Sequence, residues 1–409
     1  MIFAGDFAQL PPVHGHSLYA HSVGVAHNAG ASHNKQNAAI GKALWHQVNK
    51  VVILRQNMRQ TAQSEADSRL RQALMNMRYK ACTKDDCDFL DTLVARRPEV
   101  IKKLSDTQFR HVSIITGINS HRDELNAQGT LKFSRDTQQP LHTFYSRDSI
   151  DTNRGENRVK GKRHKYVWTR HISAGLRNQL WDNVPGTLQL CKGMPVIIKK
   201  NLATECGVTN GAEGTVVDWI ATPLPDNKYA LDVVFIQLFR NKTMQIPGLP
   251  KGIVPIYAVK EVIDCHLLDD TIMTIQREQV QMLPNFGMTD YNSQGKTRLE
   301  NVVDLNNMKT HQAYYTALSR SASADGTIIL QGFDRRKIVG GASRELRTEF
   351  QDLELLAEMT RLEFQHQLSP GVNGTFRYAR IAQFLLFHSP DEEKAPHRYY
   401  SIKREEHIK

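Results

Sequence analysis

Small hydroxyl residues recur through the segment MTDYNSQGKT, between residues 288 and 297. Short hydroxyl side chains donate to phosphate oxygens, and a glycine among them allows a ligand to approach the backbone closely. The pattern therefore predicts that the hydroxyl residues contact nucleic-acid phosphates and that two further positions face a nucleotide. The predicted nucleic-acid contacts are Thr289, Ser293 and Thr297, and the predicted nucleotide contacts are Gln294 and Gly295.

The first nine residues carry a second set of polar groups directly after an apolar run. Residues 2–4 predict a short buried strand, and Gly5-Asp6 follows it at the edge where open α/β sheets bind ligands. The amide of Gln9 can donate to a phosphate oxygen and accept from an attacking water, while Asp6 can stabilise the turn or approach a magnesium ion. We therefore expect this strand end to face a nucleotide.

Four segments in order resemble the superfamily-one DNA helicases of the petite integration frequency type (Pif-one-like), which are akin to RecD-like motors. A fifth region resembles the part of that family that leads into a small β-barrel insertion. The four segments are GDFAQLPPV (5–13), LRQNMRQ (54–60), MTDYNSQGKT (288–297) and YYTALSR (314–320), and the fifth region is KGMPVIIKKN (192–201) with NGAEGTVV (210–217).

The resemblance implies an ATP site that uses magnesium and drives 5′-to-3′ DNA unwinding. Planar guanidinium groups suit the three equatorial oxygens of a transferred phosphoryl group. In this family pattern Arg59 corresponds to the arginine that senses the γ-phosphate, Arg320 to the arginine finger, and Gln9 to the sensor glutamine. Gly5 and Asp6 belong to the same nucleotide-binding pattern.

The family also binds ATP through a glycine-rich phosphate loop and an acidic pair that holds magnesium. The resemblance places both before Met1, so it implies half a nucleotide site, no metal ligand within the chain and an isolated chain without activity. Gly295-Lys296-Thr297 resembles the end of a phosphate loop, but the first loop position would be Asp290, whose carboxylate would repel phosphate. We therefore exclude that segment as the phosphate loop.

The resemblance implies an α/β fold with RecA-like helicase lobes, one partial and one complete. The partial first lobe is expected at 1–110 and the complete second lobe at 111–337. A small SH3-like β-barrel is expected to interrupt the second lobe at about 204–285, and a helical C-terminal tail is expected at 338–409.

Hydrophobic periodicity predicts helices at 38–48 and 66–78 with a strand at 51–54 between them, after a loop at 14–36. Thr83 has an acidic residue three positions later, which predicts a capping box and a further helix as far as residue 94. Later strands are predicted at 111–116, 215–219, 229–239, 253–259 and 271–275. A tail helix is predicted from Ser343, with the apolar stripe Leu346, Phe350, Leu353, Ala357, Thr360 and Phe364 packing on the second lobe.

The charge favours a polyanionic partner, because the 53 Lys and Arg residues exceed the 42 Asp and Glu residues by 11. The family resemblance makes that partner DNA, single-stranded or at fork junctions, bound by a monomer. The basic region 151–171 is either a phosphate-contacting and base-stacking segment, a nuclear-localisation patch or a solvated surface loop. A non-enzymatic single-strand-binding remnant of a degenerate or transposon-derived helicase gene is the alternative reading.

Five cysteines at irregular spacing fit a reducing compartment better than a disulfide framework. Cys82 and Cys87 are interpreted as residues at the flank of a helix, with zinc binding as the alternative. The sequence has no signal peptide and no apolar stretch long enough to span a membrane. We therefore predict an intracellular, nuclear protein without a membrane association.

Overall fold

The computed structural model describes residues 2–12, 15–21, 23, 33–61, 64–95, 104–150, 185–240, 245–266 and 272–387. The chain divides into two compact units, of which the first comprises Met1–Ile101, Gly295–Glu300 and Met308–Lys409. The second comprises Lys102–Gln294 and Asn301–Asn307. The predicted lobe boundaries remain predictions, and the basic region 151–171 lies outside the described residues.

The helices are α1 (His33–Trp45), α2 (Glu65–Arg78), α3 (Lys84–Asp91), α4 (Asn119–Thr137), α5 (Asp290–Ser293), α6 (His311–Leu318), α7 (Arg344–Phe364) and α8 (Arg377–Phe387). The strands are β1 (Ile114–Thr116), β2 (His142–Tyr145), β3 (Arg147–Ile150), β4 (Thr187–Leu190), β5 (Pro195–Ile198), β6 (Glu213–Leu224), β7 (Lys228–Leu238), β8 (Ile253–His266), β9 (Ile272–Val280), β10 (Met282–Pro284), β11 (Gly287–Thr289), β12 (Asn301–Asp304) and β13 (Thr327–Ile329). Among the described residues, no helix is long and apolar enough to cross a membrane.

A parallel sheet in the second unit has β1 between β11 and β12. Strands of parallel sheets are covered on both faces, and accordingly Ile115, Met288 and Val302 are fully buried. Helix α4 fixes the start of β11, because Asn126 Oδ1 accepts from the backbone N–H groups of residues 286 and 287 at 2.8 Å each. The α/β class predicted from the sequence is confirmed, and β11 leads directly into the segment that carries the hydroxyl residues.

A seven-stranded antiparallel sheet in the same unit has the order β10-β5-β6-β7-β8-β9-β3. The four strands predicted from period-two alternation are confirmed as β6, β7, β8 and β9, each longer than or offset from its predicted bounds. Apolar residues alternate with period two in these strands because every second side chain points to the buried face of the sheet, where Val234 and Ile236 are fully buried. Closure of this sheet into an SH3-like barrel remains a prediction.

Helices of the first unit begin where the sequence supplies capping residues. Thr83 and Asp86 form the predicted capping box, with the Thr83 hydroxyl accepting from Asp86 N and the Asp86 carboxylate accepting from Thr83 N. Ser343 caps α7 by accepting from Leu346 N at 3.3 Å. Both predicted helix starts are therefore confirmed, although α3 ends at Asp91 instead of near residue 94.

The predicted apolar stripe of α7 is partly wrong. Leu346 and Phe350 are buried, but Phe364 is 86% exposed, and the buried face continues instead through Leu356 and Met359. Leu346 and Phe350 pack with Ala8 and Ala342, so the helix lies against the N-terminal segment within the first unit. The predicted stripe is wrong for the C-terminal half of α7, because that half of the helix packs on α8 through a different face.

Two predicted strands, at 2–4 and 51–54, are wrong. Both segments lack regular secondary structure, and Ile2 and Leu54 are 94% and 92% exposed. Apolar residues form a strand only where neighbouring backbone completes the hydrogen bonds, and here Val51 N donates instead to the Thr360 hydroxyl at 3.0 Å. Helix α1 also begins at His33, inside the predicted loop.

Candidate phosphate site

Arg59 lies in the connection that leads into α2, within the first unit. Its Nε donates to Thr297 Oγ1 at 3.0 Å, and its Nη1 donates to the carbonyl oxygen of Ser319 at 2.7 Å. Asn57 Oδ1 accepts from the backbone N–H groups of Arg59 at 3.0 Å and Gln60 at 3.2 Å, which fixes the turn that carries the guanidinium group. The structure thus brings together two predicted site residues, Arg59 and Thr297, that are 238 positions apart.

Arg320 follows the C-terminus of α6 and is 2% exposed. Its Nε donates to the Thr316 carbonyl oxygen at 2.8 Å and its Nη2 donates to Ser319 Oγ at 2.7 Å. Burial, together with the positive charge of Arg59, lowers the pKa of Arg320 to about 10. The two predicted phosphate-binding arginines are therefore near enough to repel one another, an arrangement that an anion would stabilise.

A third guanidinium group joins this cluster, because Arg78 at the end of α2 donates to Asp6 Oδ2 at 2.7 Å. Burial alone would lower the pKa of Arg78, but Asp6 and the Tyr315 hydroxyl outweigh burial and leave that pKa raised. Tyr315 also acts electrostatically on Arg59 and Arg320, so one phenol influences the pKa of all three arginines. Within the described part of the chain, Asp6 is the single carboxylate acting on the cluster.

Arg78 and Tyr315 are site residues that the sequence reasoning missed. A basic residue in the last turn of a helix is ordinary, because it interacts favourably with the helix dipole. Arg78 therefore carried no signal of its own in the sequence. Tyr315 lies in the segment YYTALSR, which ends with Arg320. That position was the one indication in the sequence that Tyr315 belongs to the site.

The turn at residues 5–9 lies in the same unit as the arginine cluster. Asp6 Oδ1 accepts from Ala8 N at 3.0 Å, and the Asp6 carbonyl oxygen accepts from Gln9 N at 3.0 Å. Gln9 is half-buried, and Gly5 is exposed with open space where a Cβ would stand. Asp6 therefore shapes the turn and also links it to Arg78.

The hydroxyl residues of MTDYNSQGKT differ in their availability. Ser293 is fully buried and donates to the Asp290 carbonyl oxygen at 2.7 Å, while Thr289 caps α5 by accepting from Asn292 N. Thr297 is exposed, as are Gln294 and Gly295. Of the three predicted nucleic-acid contacts, Thr297 is exposed, Thr289 is half-buried and Ser293 is buried, and the roles of all three remain predictions.

Asp290 begins α5 and is 6% exposed, and burial raises the pKa of its carboxyl to about 6. Because the folded state holds this proton more tightly than the unfolded chain, its contribution to stability is present below about pH 4 and is lost as pH rises through 6. We expect Asp290→Asn to remove a pH dependence of roughly 2 kcal/mol over that interval. Urea unfolding from pH 4.5 to 7.5 would measure the difference between the variant and the parent.

Asp352 is a second carboxyl whose pKa is raised to about 6 by burial, so it contributes to the same pH dependence of stability. The residual slope of the Asp290→Asn variant should therefore decrease further in the double variant with Asp352→Asn. An unchanged slope in Asp290→Asn would contradict the assignment of the raised pKa to Asp290.

Cys82 and Cys87 are buried, and Cys82 Sγ donates to the Ala73 carbonyl oxygen at 3.6 Å. Burial raises the pKa of both thiols. Among the residues that the structure describes, no group of three or more His, Cys, Asp or Glu side chains is arranged to hold a metal ion. The donor set around Tyr315 is cationic, so it suits phosphate oxygens and not a metal.

Comparison with known proteins gives a fold likeness at low identity. No family model matches the chain. A protein of Invertebrate iridescent virus 6, described as uncharacterized protein 030L, is 21% identical over 408 residues, covering 87% of this chain and 72% of the viral protein.

Solved structures of Pif1 helicases resemble the chain over most of its length. The Candida albicans enzyme is 20% identical with a TM-score of 0.50, and the match covers 85% of this chain and 67% of that one. Bacteroides Pif1 bound to ssDNA is 15% identical with a TM-score of 0.52, and its complex with ADP-AlF3 and ssDNA is 16% identical with a TM-score of 0.50. Each Bacteroides match covers 85% of this chain and 65% of the other. The chain therefore has the fold of these solved Pif1 helicases.

Proposed function

We propose that this chain is part of an ATP-dependent DNA helicase that moves 5′ to 3′, with Arg59 and Arg320 on the transferred phosphoryl group. The observation that carries the proposal is that Arg59 reaches the carbonyl oxygen of Ser319, directly before the buried Arg320, at 2.7 Å. Among the described residues, Asp6 is the single carboxylate acting on Arg320 and on Arg78. Buried positive charge of this kind is costly without a counterion, so the cluster favours a polyanionic ligand. A nucleoside triphosphate is the polyanion that fits both the cluster and the fold.

The chemistry follows from what each side chain can donate. Arg59 and Arg320 supply hydrogen bonds to γ-phosphoryl oxygens as charge develops on them. Gln9 orients the attacking water, and Arg78 holds the Asp6 turn that carries Gln9. Magnesium, when bound with the nucleotide, would neutralise phosphate charge, and Asp6 is the carboxylate of this cluster that would approach it.

We propose that the isolated chain turns over ATP negligibly, because no segment of the sequence reads G-x-x-x-x-G-K-[ST]. The phosphate loop and its metal together supply several kcal/mol of the barrier reduction in phosphoryl transfer. The chain spans about two thirds of the length of the solved Pif1 structures that it matches.

The finer architecture belongs to the same proposal. Residues 1–110 would form part of a first RecA-like lobe, 111–337 a second lobe, and the antiparallel sheet within 204–285 an SH3-like element that helps to hold the strand. DNA, single-stranded or at a fork, would be the partner of a monomeric, intracellular and nuclear protein. Closing of the lobes on ATP would couple hydrolysis to movement along DNA.

Two measurements on the full chain test the proposal. Fluorescence anisotropy with an oligo-dT strand between 50 and 200 mM salt should give a logarithm of affinity that falls linearly with the logarithm of salt, and millimolar ATP should change that affinity. A phosphate-release assay with oligo-dT should give no turnover above background. The Arg320→Ala variant is the control for any turnover observed.

The alternative is a non-enzymatic remnant that binds single strands, which the excess of 11 positive charges favours. Salt-dependent binding that ignores ATP would support this alternative and contradict the helicase proposal. Affinity that ignores both salt and ATP would contradict both. Turnover that Arg320→Ala abolishes would refute the proposed inactivity of the isolated chain.

A further inference from the structure

Gln312 lies in the first turn of α6, the helix that Arg320 follows. Its Nε2 donates to the backbone carbonyl oxygen of Phe7 at 3.0 Å, and the residue is 8% exposed. The hydroxyl of Thr310 caps the same turn of the helix, so the position of Gln312 is fixed locally. One buried amide therefore attaches α6 to a segment 305 positions earlier in the chain.

The Phe7 carbonyl belongs to the turn that carries Gln9. Within that turn the Asp6 carbonyl oxygen accepts from Gln9 N at 3.0 Å, so Phe7 lies between the two residues that this hydrogen bond joins. The Phe7 ring packs edge-on against the rings of Tyr19 and Trp45, with centroid distances of 5.2 and 5.5 Å. The ring and the carbonyl of Phe7 are thus both held, and together they set where Gln9 lies two residues later.

The face of α6 that carries Gln312 is also the face that serves the arginines. Gln312, Tyr315 and Ser319 are three and then four positions apart, which places them on one side of the helix. Tyr315 raises the pKa of Arg78, and Ser319 Oγ accepts from Arg320 Nη2 at 2.7 Å. A single helix face therefore fixes the turn at one end and the proposed arginine finger at the other.

Stability alone gives little reason for an amide at this position. A hydrogen bond between neutral groups contributes little net stability, because folding exchanges it for hydrogen bonds to water. An apolar side chain of the same length would bury its surface without having to satisfy a polar group. What the Gln312 amide adds is direction, because its N–H donor fixes where the Phe7 carbonyl points.

We propose that Gln312 is a positioning residue of the nucleotide site: it holds the Phe7 carbonyl so that the Gln9 amide faces the terminal phosphoryl group of a nucleoside triphosphate. This inference rests on the proposed function, because it assumes that Gln9 contacts that group. Gln312 acts only through Gln9. Loss of its N–H donor should therefore weaken binding of a triphosphate and leave binding of a diphosphate, which lacks the terminal group, unchanged.

The test compares two nucleotides on the full chain. Calorimetric titration with the non-hydrolysable triphosphate AMP-PNP and with ADP gives two dissociation constants, and the ratio of ADP to AMP-PNP is the discrimination factor. We expect a factor of roughly 10 or more for the parent chain, the effect of at least one hydrogen bond to a charged group. Gln312→Met removes the donor at nearly constant length and should lower the factor by roughly 5-fold.

Two further variants assign the effect to the N–H donor. Gln312→Glu keeps the shape of the side chain but replaces the donor with an acceptor, so it should lower the factor at least as much as Gln312→Met. Gln72→Met is the matched control, because Gln72 Nε2 donates to Asn76 Oδ1 within α2 and the change should leave the factor unaltered. Thermal unfolding checks that each variant is folded, and Gln312→Glu keeps the test informative if methionine perturbs the turn.

A double-variant cycle tests whether Gln312 acts through Gln9. Gln9→Ala should lower the discrimination factor by itself, and adding Gln312→Met to Gln9→Ala should lower it no further, because residues that act as a unit are not additive. A residue with a merely structural role would instead weaken both nucleotides equally and leave the ratio unchanged.

The outcomes separate the inference from the function on which it rests. A parent chain that binds AMP-PNP no more tightly than ADP would overturn the proposed nucleotide site, and the role of Gln312 with it. Discrimination in the parent that Gln312→Met and Gln312→Glu both retain would overturn the role of Gln312 alone. An equal further loss in the Gln9→Ala background would overturn the route through Gln9, whereas a non-additive loss would support the inference.

Discussion

Replacing Glu349 by alanine is expected to lower the free energy of unfolding by about 3–5 kcal/mol, because Arg377 would remain buried without its carboxylate. Arg377 Nη2 and Nη1 donate to the two Glu349 oxygens at 2.9 and 3.1 Å, and both side chains are at most 3% exposed. Trp45 Nε1 also donates to Glu349 at 3.0 Å, and the Arg377 guanidinium group lies 5.5 Å from the Trp45 ring centroid. One carboxylate thus joins α1, α7 and α8, and chemical unfolding would measure its removal.

The matched control is Glu358→Ala on the same helix. Its partner Arg361 is about half exposed, and surface ion pairs contribute at most about 1 kcal/mol. The double replacement of Glu349 and Arg377 by methionine should recover most of the lost stability, because no charge is then left buried. Equal small effects of Glu349→Ala and Glu358→Ala would show that the buried pair does not hold the C-terminal helices in place.

Arg320→Met is expected to stabilise the ligand-free chain by about 1–3 kcal/mol while weakening its affinity for ATP by roughly 10-fold or more. Stability rises because the substitution removes a buried cation that Arg59 repels, as the lowered pKa of Arg320 indicates. Affinity falls because a hydrogen bond from a charged group to phosphate is lost. Thermal unfolding and calorimetric titration with ATP would measure the two effects on one preparation.

The control for this trade-off is Arg336→Met, an arginine whose side chain is 90% exposed. That substitution should change stability by less than about 0.5 kcal/mol and leave ATP affinity unchanged. If Arg320→Met instead destabilised the chain with no loss of ATP affinity, Arg320 would be a structural residue and its proposed role as arginine finger would be wrong. Opposite changes in stability and affinity are typical of residues kept for binding.

Local sequence was sufficient for features whose determinants are close together in the chain. The capping box at Thr83, the cap at Ser343 and the alternation that marks β6 to β9 depend on residues within a few positions of one another. The same rules failed for residues 2–4 and 51–54, where the apolar runs suit a strand but no described neighbouring backbone pairs with them. Strand formation is a property of pairs of segments, and a single segment does not determine it.

For the candidate site, too, some features followed from the sequence and others only from the tertiary structure. The sequence alone determined the types of its residues, because Gln9, Arg59 and Arg320 stand in segments whose chemistry suits phosphate. The tertiary structure decided that Arg78 and Tyr315 join them, that the predicted Asp6 pairs with Arg78, and that Arg59 contacts Thr297. Charges and hydroxyl groups hundreds of positions apart interact only after folding brings them within a few ångströms, and the sequence does not contain that distance.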